Sequence, residues 1–244
     1  MNWDYSQHYA RLHPDTPEHD ANLRSYFQRN LAAHLPADKG SNVLDIGCGR
    51  GYALEWLGSL GYANRAGIDP DAAQVAFAKS RGQNVAQVQD TAAYLRERPE
   101  TCDLILLMDV LEHVPRPAQP ELLRAIRNAL RPGGRLLCTV PNAASPLAGH
   151  WRYVDYTHEC LFTHESLEFL LTQTGFTVDR VQPVEFLAPP FLGIWPLNRH
   201  TLRWWSLKMS RVQPRLVCLG EFGWGKGWAT PLSANLLACA LRAR

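Results

Sequence analysis

The stretch VLDIGCGRG, Val43 to Gly51, decides the fold. NVLDI reads as a short apolar strand, and Gly47, Gly49 and Gly51 follow it at once. GYALEWLGSLG then reads as a helix closed by Gly61. A strand, a glycine turn and a helix make the opening of a βαβ unit. In open α/β sheets the ligand sits at the carboxyl ends of such strands, and glycine lets the backbone approach it closely. Asp45 complicates that picture, because a turn built for phosphates should not carry a carboxylate at its mouth.

Outward from this turn the same alternation continues. RAGID is a strand, and PDAAQVAFAKSRG is a helix with Pro70 at its start and Gly82 at its end. NVAQVQ is a strand, and the fully apolar DLILLMD suits a central strand covered on both faces. AQPELLRAIRNALRPGG is a helix that should stop at Pro132, before the strand RLLCTVP. THESLEFLLTQTGF is a helix opened by Thr163 with Ser166 and closed by Gly175. TVDRVQPVEF and ANLLACALRA are the last two strands. Upstream, residues 1–40 read as a polar helical lead-in whose best helix is about Ala21–His34, with Leu23, Phe27 and Leu31 at helical spacing. The pattern predicts a doubly wound, mostly parallel α/β sheet.

Composition narrows the function. The chain has 244 residues, of which 46% are hydrophobic, enough for one packed α/β domain with an appended segment. A formal charge of +2 gives no argument for nucleic acid, which calls for a strongly basic face. Six scattered cysteines without a CxxC pair read as reduced, mostly buried thiols of a cytoplasmic protein. The polar, aromatic start MNWDYSQHYARLH does not read as a signal peptide, and no apolar run of about 18 residues suggests a membrane span.

Two ligand classes compete for the glycine turn. A dinucleotide would rest its pyrophosphate on the helix N-terminus, but its usual spacing is GxGxxG and this turn reads GxGxG. A ligand with an amino group and a sulfonium would instead be attracted by Asp45. S-adenosylmethionine is such a ligand. Asp69, eighteen residues after Gly51, ends the second strand, where a carboxylate can accept from both ribose hydroxyls. Asp90 ends the third strand, within reach of an adenine amino group. Taken singly, Asp69 and Asp90 could each be a helix cap. Three carboxylates at three successive strand ends form a constellation.

These motifs resemble the class I S-adenosylmethionine-dependent methyltransferases. VLDIGCGRG resembles the family's first motif, GIDPD its second, QDTAAYL its adenine-contacting segment, DLILLMDVLEHV its fourth-strand motif, and LRPGGRLLCTVPN its turn into the fifth strand. The match runs over about residues 40–142 in order. The resemblance implies a seven-stranded Rossmann-like sheet whose last strand, residues 234–242, inserts antiparallel beside the fifth. It also implies S-adenosylmethionine as cofactor. By position, Asp45, Gly47 and Gly49, with Cys48 between, bound the methionine moiety. Asp69 binds ribose with Pro70 beside it, Asp90 and Thr91 meet the adenine, and Met108 with Asp109 forms the rim near the sulfonium.

Methyl transfer to a hydroxyl also needs a proton removed, commonly by a histidine or carboxylate. His113, in DVLEHV, should face the pocket mouth or serve the structure alone. HWRYVDYTHECLFTHESL, residues 150–167, crowds Asp155, His158 and His164 into the loop after the fifth strand. DYTHE followed by FTHESLEFLLTQTGF resembles a segment of bacterial surface-glycan and small-molecule O-methyltransferases. Three roles are open to His158: a structural hydrogen bond, a general base oriented by Asp155, or a metal ligand with Asp155 and His164. No strict ligand spacing appears, so no metal is assigned; the catalytic candidates are His158, Asp155 and His113.

Between Phe186 and Leu232 the composition changes. This stretch holds five of the eight tryptophans and six Lys or Arg against the single acid Glu221. HTLRWWSLKMSRV fits a short helix with Leu202, Trp205 and Met209 on one face. The expected organisation is a lead-in (1–40), a methyltransferase domain (41–185 and 233–244) and an aromatic, basic insertion (186–232). The insertion either covers protein or, through 190–230, meets a membrane surface, which would place the chain at the inner face of a membrane. The expected function is methylation of a hydroxyl on a saccharide, a lipid-linked saccharide or a small quinone-like or aromatic molecule. Methylation of nitrogen or carbon on a small molecule, and cofactor binding without chemistry, stay as alternatives; a dehydrogenase fits least.

Overall fold

The computed structural model describes residues 14–187, 189 and 198–243. The first 13 residues of the lead-in, and 188 and 190–197 of the aromatic segment, lie outside the described residues. Seven strands form one sheet: β1 Val43–Ile46, β2 Arg65–Asp69, β3 Val85–Gln87, β4 Cys102–Met108, β5 Leu130–Pro141, β6 Phe176–Val184 and β7 Asn235–Arg242. Their spatial order is β3-β2-β1-β4-β5-β7-β6. β1 to β5 pair parallel, while β7 runs antiparallel between β5 and β6, as the resemblance implied.

Nine helices are described: α1 Pro17–Asn30, α2 Tyr52–Ser59, α3 Ala72–Ser80, α4 Thr91–Arg96, α5 Gln119–Ala129, α6 Ala148–Tyr153, α7 His164–Gln173, α8 Arg199–Met209 and α9 Val212–Ala229. Most starts follow ordinary caps. Thr163 and Ser166 form a reciprocal capping box on α7. The first helix begins earlier than hydrophobic spacing suggests, because Thr16 caps it, accepting from His19 N at 3.2 Å with Pro17 in its first turn. α3 starts after Asp71, not at Pro70; the Asp71 carboxylate caps it, accepting from Ala73 N (2.7 Å) and Gln74 N (3.2 Å). α5 stops at Ala129, short of Pro132, because Leu130 is already extended and opens β5.

Burial alternates along the central strands. Leu104 and Leu106 of β4 join Tyr26, Phe27, Trp56 and Leu57 on the face covered by α1 and α2. Ile105 and Leu107 face the opposite way, into a core with Leu123, Ile126, Leu167 and Leu171 from α5 and α7. All four β4 residues are fully buried, each contributing about 1.5–3 kcal/mol of transfer free energy. Arg81, at the end of α3, ties the first face together by binding Asp20 of α1 at 2.7 Å and Glu55 of α2 at 2.6 Å.

α8 and α9 lie between β6 and β7 in the chain. Asn198 caps α8, accepting from Thr201 N at 3.0 Å. Glu185, just past β6, holds Lys208 (3.2 Å) and Arg211 (2.9 Å). α9 is broken at Gly223, whose φ of 75° and ψ of 175° are open only to glycine. No described helix is long and apolar enough to cross a membrane.

Candidate functional site

From β1 the chain winds to β2 and β3 on one side, and β4 and β5 follow on the other. The switch point of the sheet is therefore the gap between the carboxyl ends of β1 and β4, where such folds bind ligands. The glycine turn lies on one side of it and the MDVLEH segment on the other.

The turn is pulled tightly onto β2. Gly47 N and Cys48 N donate to Ile68 O at 2.8 and 3.1 Å, and Gly49 N donates to Asp69 Oδ2 at 2.8 Å. Gly47, Gly49 and Gly51 all take positive φ (69°, 49° and 78°), which spares the turn the side-chain clash of that region. Asp69 Oδ1 accepts from Asp71 N at 2.8 Å. Each carboxylate oxygen carries two acceptor positions, so Asp69 keeps capacity for two hydroxyl donors. Asp45 is 2% exposed, and burial, with negative Asp69 nearby, pushes its carboxyl up to about 8. Burial raises Asp69 too, against the two backbone donors that hold it down. Arg50, the cation of the turn, stacks its guanidinium 4.5 Å over Phe77. Two buried carboxylates beside tightly approaching backbone fit a positively charged ligand and disfavour a diphosphate.

Asp90 is exposed and does cap α4, its Oδ1 accepting from Ala93 N at 2.8 Å, with Thr91 opening the helix. Pro70 is exposed, and its carbonyl accepts from Gln87 and Gln89. Met108 ends β4 and is half-buried. Asp109 sits in the left-handed region (φ 54°), where a non-glycine residue is strained. Three contacts hold it there: Asp109 N donates to Thr139 Oγ1 (3.1 Å), and its Oδ1 accepts from Thr139 Oγ1 (3.0 Å) and Asn235 Nδ2 (2.7 Å). The side chain meets solvent, yet it lies in a crevice ringed by protein. That confinement raises its pKa, while Thr139, His158 and Asn235 hold it down.

Beyond Asp109 the chain makes a short 3₁₀ turn, Leu111–His113, and there the two halves of the acceptor side meet. The 150–167 loop folds back onto β5 through a bridge between Asn142 and Phe162, and Glu159 N donates to Glu112 O at 2.7 Å. This brings His158 against His113, with ring centroids 4.7 Å apart. Their tautomers follow from their partners. His158 Nδ1 lies 2.6 Å from the Trp151 carbonyl, which can only accept, so Nδ1 carries the proton and Nε2 the lone pair. Thr157 donates its one hydroxyl proton to Asp155 Oδ1 at 2.7 Å and therefore accepts from His113 Nδ1, 2.7 Å away. His113 too has its lone pair on Nε2. Burial, with His158 adding, pushes the His113 imidazole down to about 4, so it is neutral near neutral pH.

Asp155 was expected to orient His158; its carboxylate instead orients His113 through Thr157. His164 belongs to the first turn of α7 and pairs with Glu165 at 3.2 Å, apart from the other two histidines. Three participants had escaped the sequence. Thr157 and Asn235 are polar residues whose partners lie far along the chain. Glu112 is fully buried, and among the described residues neither of its carboxylate oxygens has a hydrogen-bond partner. Burial first, then the charges of Asp109 and Asp155, raise its carboxyl well above the ordinary range, against the pull of its own backbone N–H. A charged residue inside the apolar run DVLEHV was the available signal for it. A separate cleft of about 440 Å³, bordered by Asn42, Arg65, Tyr94 and Arg98, lies at the amino ends of the strands, away from this chemistry.

Comparison with known proteins agrees with the geometry. The methyltransferase-domain family model matches residues 19–181. A ubiquinone biosynthesis O-methyltransferase of Roseobacter denitrificans is 30% identical over 219 residues, covering 82% of this chain and 86% of that protein. The mitochondrial enzyme of the same name from Mus musculus is 27% identical over 220 residues, covering 82% of this chain and 58% of its own length. The chain thus spans under two thirds of that mammalian relative. Among solved structures, an S-adenosylmethionine-dependent methyltransferase from Archaeoglobus fulgidus superposes with a TM-score of 0.68 at 20% identity, covering 98% of this chain and 100% of the other. One from Thermotoga maritima gives 0.61 at 19% identity, covering 98% and 96%. The chain belongs to the methyltransferase-domain family and has the seven-stranded Rossmann-like fold of its S-adenosylmethionine-dependent relatives.

Proposed function

We propose that the chain methylates a ring hydroxyl of a small, quinone-like aromatic molecule. The observation that carries this reading is the pair His113 and His158 at the carboxyl end of β4, each presenting an Nε2 lone pair by virtue of its hydrogen-bonded Nδ1. The ubiquinone O-methyltransferases to which the chain is similar act under that name on the corresponding chemistry. When bound, S-adenosylmethionine supplies an activated methyl group on a positively charged sulfur. Asp45 and the Gly47–Gly49 backbone, with Cys48, would hold its methionine end. Asp69 and Pro70 would hold the ribose, Asp90 and Thr91 the adenine, and Met108 with Asp109 the rim. His158 Nε2 takes the proton of the acceptor hydroxyl, and the Trp151 carbonyl keeps that ring oriented.

A lipid-tailed acceptor suits the outer surface. Trp205, Met209, Leu216, Trp224 and Trp228 of α8 and α9 are exposed beside Arg203, Arg215 and Lys226. We read these helices as a contact with an anionic membrane surface. The deciding assay offers alkylated dihydroxybenzenes, a saccharide and an aryl amine with isotopically labelled S-adenosylmethionine. Label on a ring oxygen is the expected result; label on the sugar or amine alone, or on none, overturns the reading. His158→Ala should lower kcat by about 10²–10⁴ with cofactor affinity unchanged, and unaltered turnover would remove the base.

A further inference from the structure

One polar group of the lead-in reaches the site with its bonding capacity unspent. Tyr26 projects from α1 and is 7% exposed. Its ring is held on two sides, stacked on Phe186 at 5.2 Å and edge-on to Phe27 at 5.5 Å. Phe186 is itself tied to α1. Arg29 donates to its carbonyl at 2.7 Å, and Asn30 exchanges hydrogen bonds with the Glu185 backbone at 3.3 and 3.2 Å. The Tyr26 hydroxyl is buried with no hydrogen-bond partner among the described residues. Burial first, then the charge of Asp109, pushes the phenol above its ordinary range while Thr139 pulls it down, so the hydroxyl looks toward Thr139 and Asp109. A buried O–H is costly until it finds an acceptor.

We propose that Tyr26 is a positioning residue for the methyl donor: its hydroxyl donates to Thr139 Oγ1 and so fixes the Asp109 carboxylate that faces the sulfonium. Thr139 has room for this bond. A hydroxyl offers one proton and two acceptor positions. Thr139 Oγ1 accepts from Asp109 N at 3.1 Å, which leaves one acceptor position, and a slight turn of the phenol fills it. The Thr139 proton has two takers, Asp109 Oδ1 at 3.0 Å and Met108 Sδ at 4.0 Å. A donor behind Thr139 polarises its O–H and favours the charged taker. Asn235 Nδ2 also donates to Oδ1, at 2.7 Å, so Oδ2 is left for a ligand.

A carboxylate held in this way distinguishes the two forms of the cofactor. S-adenosylmethionine carries a positive sulfur, and S-adenosylhomocysteine, which remains after transfer, carries a neutral one. Attraction to Asp109 favours the first and is indifferent to the second. Tyr26 thereby biases one pocket toward the charged donor and against the spent one. The inference rests on the placement of Asp109 at the sulfonium rim, proposed above, and is independent of which acceptor is methylated.

The test is calorimetric titration of the full-length chain with each form of the cofactor, no acceptor being present. Tyr26→Phe keeps the ring and its stacking on Phe186 and removes only the hydroxyl. It should weaken S-adenosylmethionine binding about three- to tenfold and leave S-adenosylhomocysteine binding within about twofold of the parent. Lost packing alone would weaken both alike. Asp109→Asn should show the same split, and the double variant should bind no worse than Asp109→Asn, because the hydroxyl acts through that carboxylate. Binding of S-adenosylhomocysteine reports that each variant is folded; if Asp109→Asn fails that check, Thr139→Val, which removes the relay, takes its place in both comparisons. Equal losses for the two ligands, unchanged binding by Tyr26→Phe, or additive losses in the double variant overturn the proposal. A split for Asp109→Asn without one for Tyr26→Phe overturns the role of Tyr26 and leaves the placement of Asp109 standing.

Discussion

At the scale of the residue, the site depends on backbone that only certain side chains permit. Gly47 is the sharpest case. Its φ of 69° costs an L-residue about 1–2 kcal/mol. A Cβ there would also stand 2.4 Å from Val110 Cγ2. Val110 leads directly into Glu112 and His113, so the collision would push the cofactor turn and the acceptor side apart together. Gly47→Ala should therefore weaken S-adenosylhomocysteine binding at least tenfold and lower stability by about 1–3 kcal/mol. Adding Val110→Ala should recover part of both losses, because it relieves the collision and leaves the dihedral strain. Calorimetric titration and urea unfolding check this; parental binding by Gly47→Ala would show that the turn yields. Asp109 makes the contrasting choice at φ 54°, holding a strained backbone with hydrogen bonds from Thr139 and Asn235 in place of a missing side chain.

At the scale of the element, α8 and α9 carry the clearest unspent surface. Trp224 is 78% exposed and Trp228 62% exposed, and their rings stack 6.0 Å apart. Lys208 and Arg211 are drawn inward to Glu185, while Arg215 lies over the Trp228 ring (5.6 Å) and Lys226 over that of Phe222 (5.1 Å), also reaching Glu165 at 3.6 Å. An interfacial contact predicts that the chain co-sediments with vesicles containing anionic lipid and that Trp205→Ser, Trp224→Ser and Trp228→Ser together abolish this without loss of fold. Equal recovery of both forms in the supernatant refutes the contact. α8 was legible in the sequence because Leu202, Trp205 and Met209 repeat at helical spacing. α9 was not, since Gly220, Gly223, Gly225 and Gly227 argue against a helix and the segment bends at Gly223. α7 announced itself through Thr163, Ser166 and Gly175, whereas the start of α1 was hidden because Thr16 and Pro17 precede its apolar stripe. The strands were readable because β1 and β4 are buried on both faces and so are apolar apart from Asp45 and Asp103. The His113–Thr157–Asp155 chain was unreadable. It joins residues 44 apart, and sequence spacing carries no trace of a loop folding back.

At the scale of the whole molecule, the fold gathers acids at one end of its sheet with no ion pair to Lys or Arg among the described residues, and stability must register that. Asp45, Asp69 and Glu112 all have raised pKa values, Asp45 up to about 8, because burial disfavours their charged forms. A carboxyl raised on folding binds more protons in the folded than in the unfolded chain. Its contribution is present below the unfolded value near 4 and is lost as pH rises toward the folded one. His113, lowered to about 4, acts oppositely: its contribution is lost as pH falls from about 6.5 toward 4. Between pH 6.5 and 8 His113 is neutral in the folded chain, and it still sheds its last protons in the unfolded one only near the lower edge, as His19 and His34 do, so the raised acids outweigh the histidines over the interval. The ligand-free chain should lose stability across that interval, Asp45 by itself accounting for about 1–2 kcal/mol. S-adenosylmethionine brings an ammonium and a sulfonium to the same end of the sheet and favours the ionised carboxylate. Its binding at pH 7 should release close to one proton, seen as a dependence of the binding heat on buffer ionisation enthalpy, and should flatten the pH slope. Asp45→Asn should flatten it partly with no ligand present. Urea unfolding at pH 6.5 and 8, with and without cofactor, reads all three effects. A ligand-free chain equally stable at both values would mean that Asp45 is already ionised, and that the attraction of this site for a cation has another source.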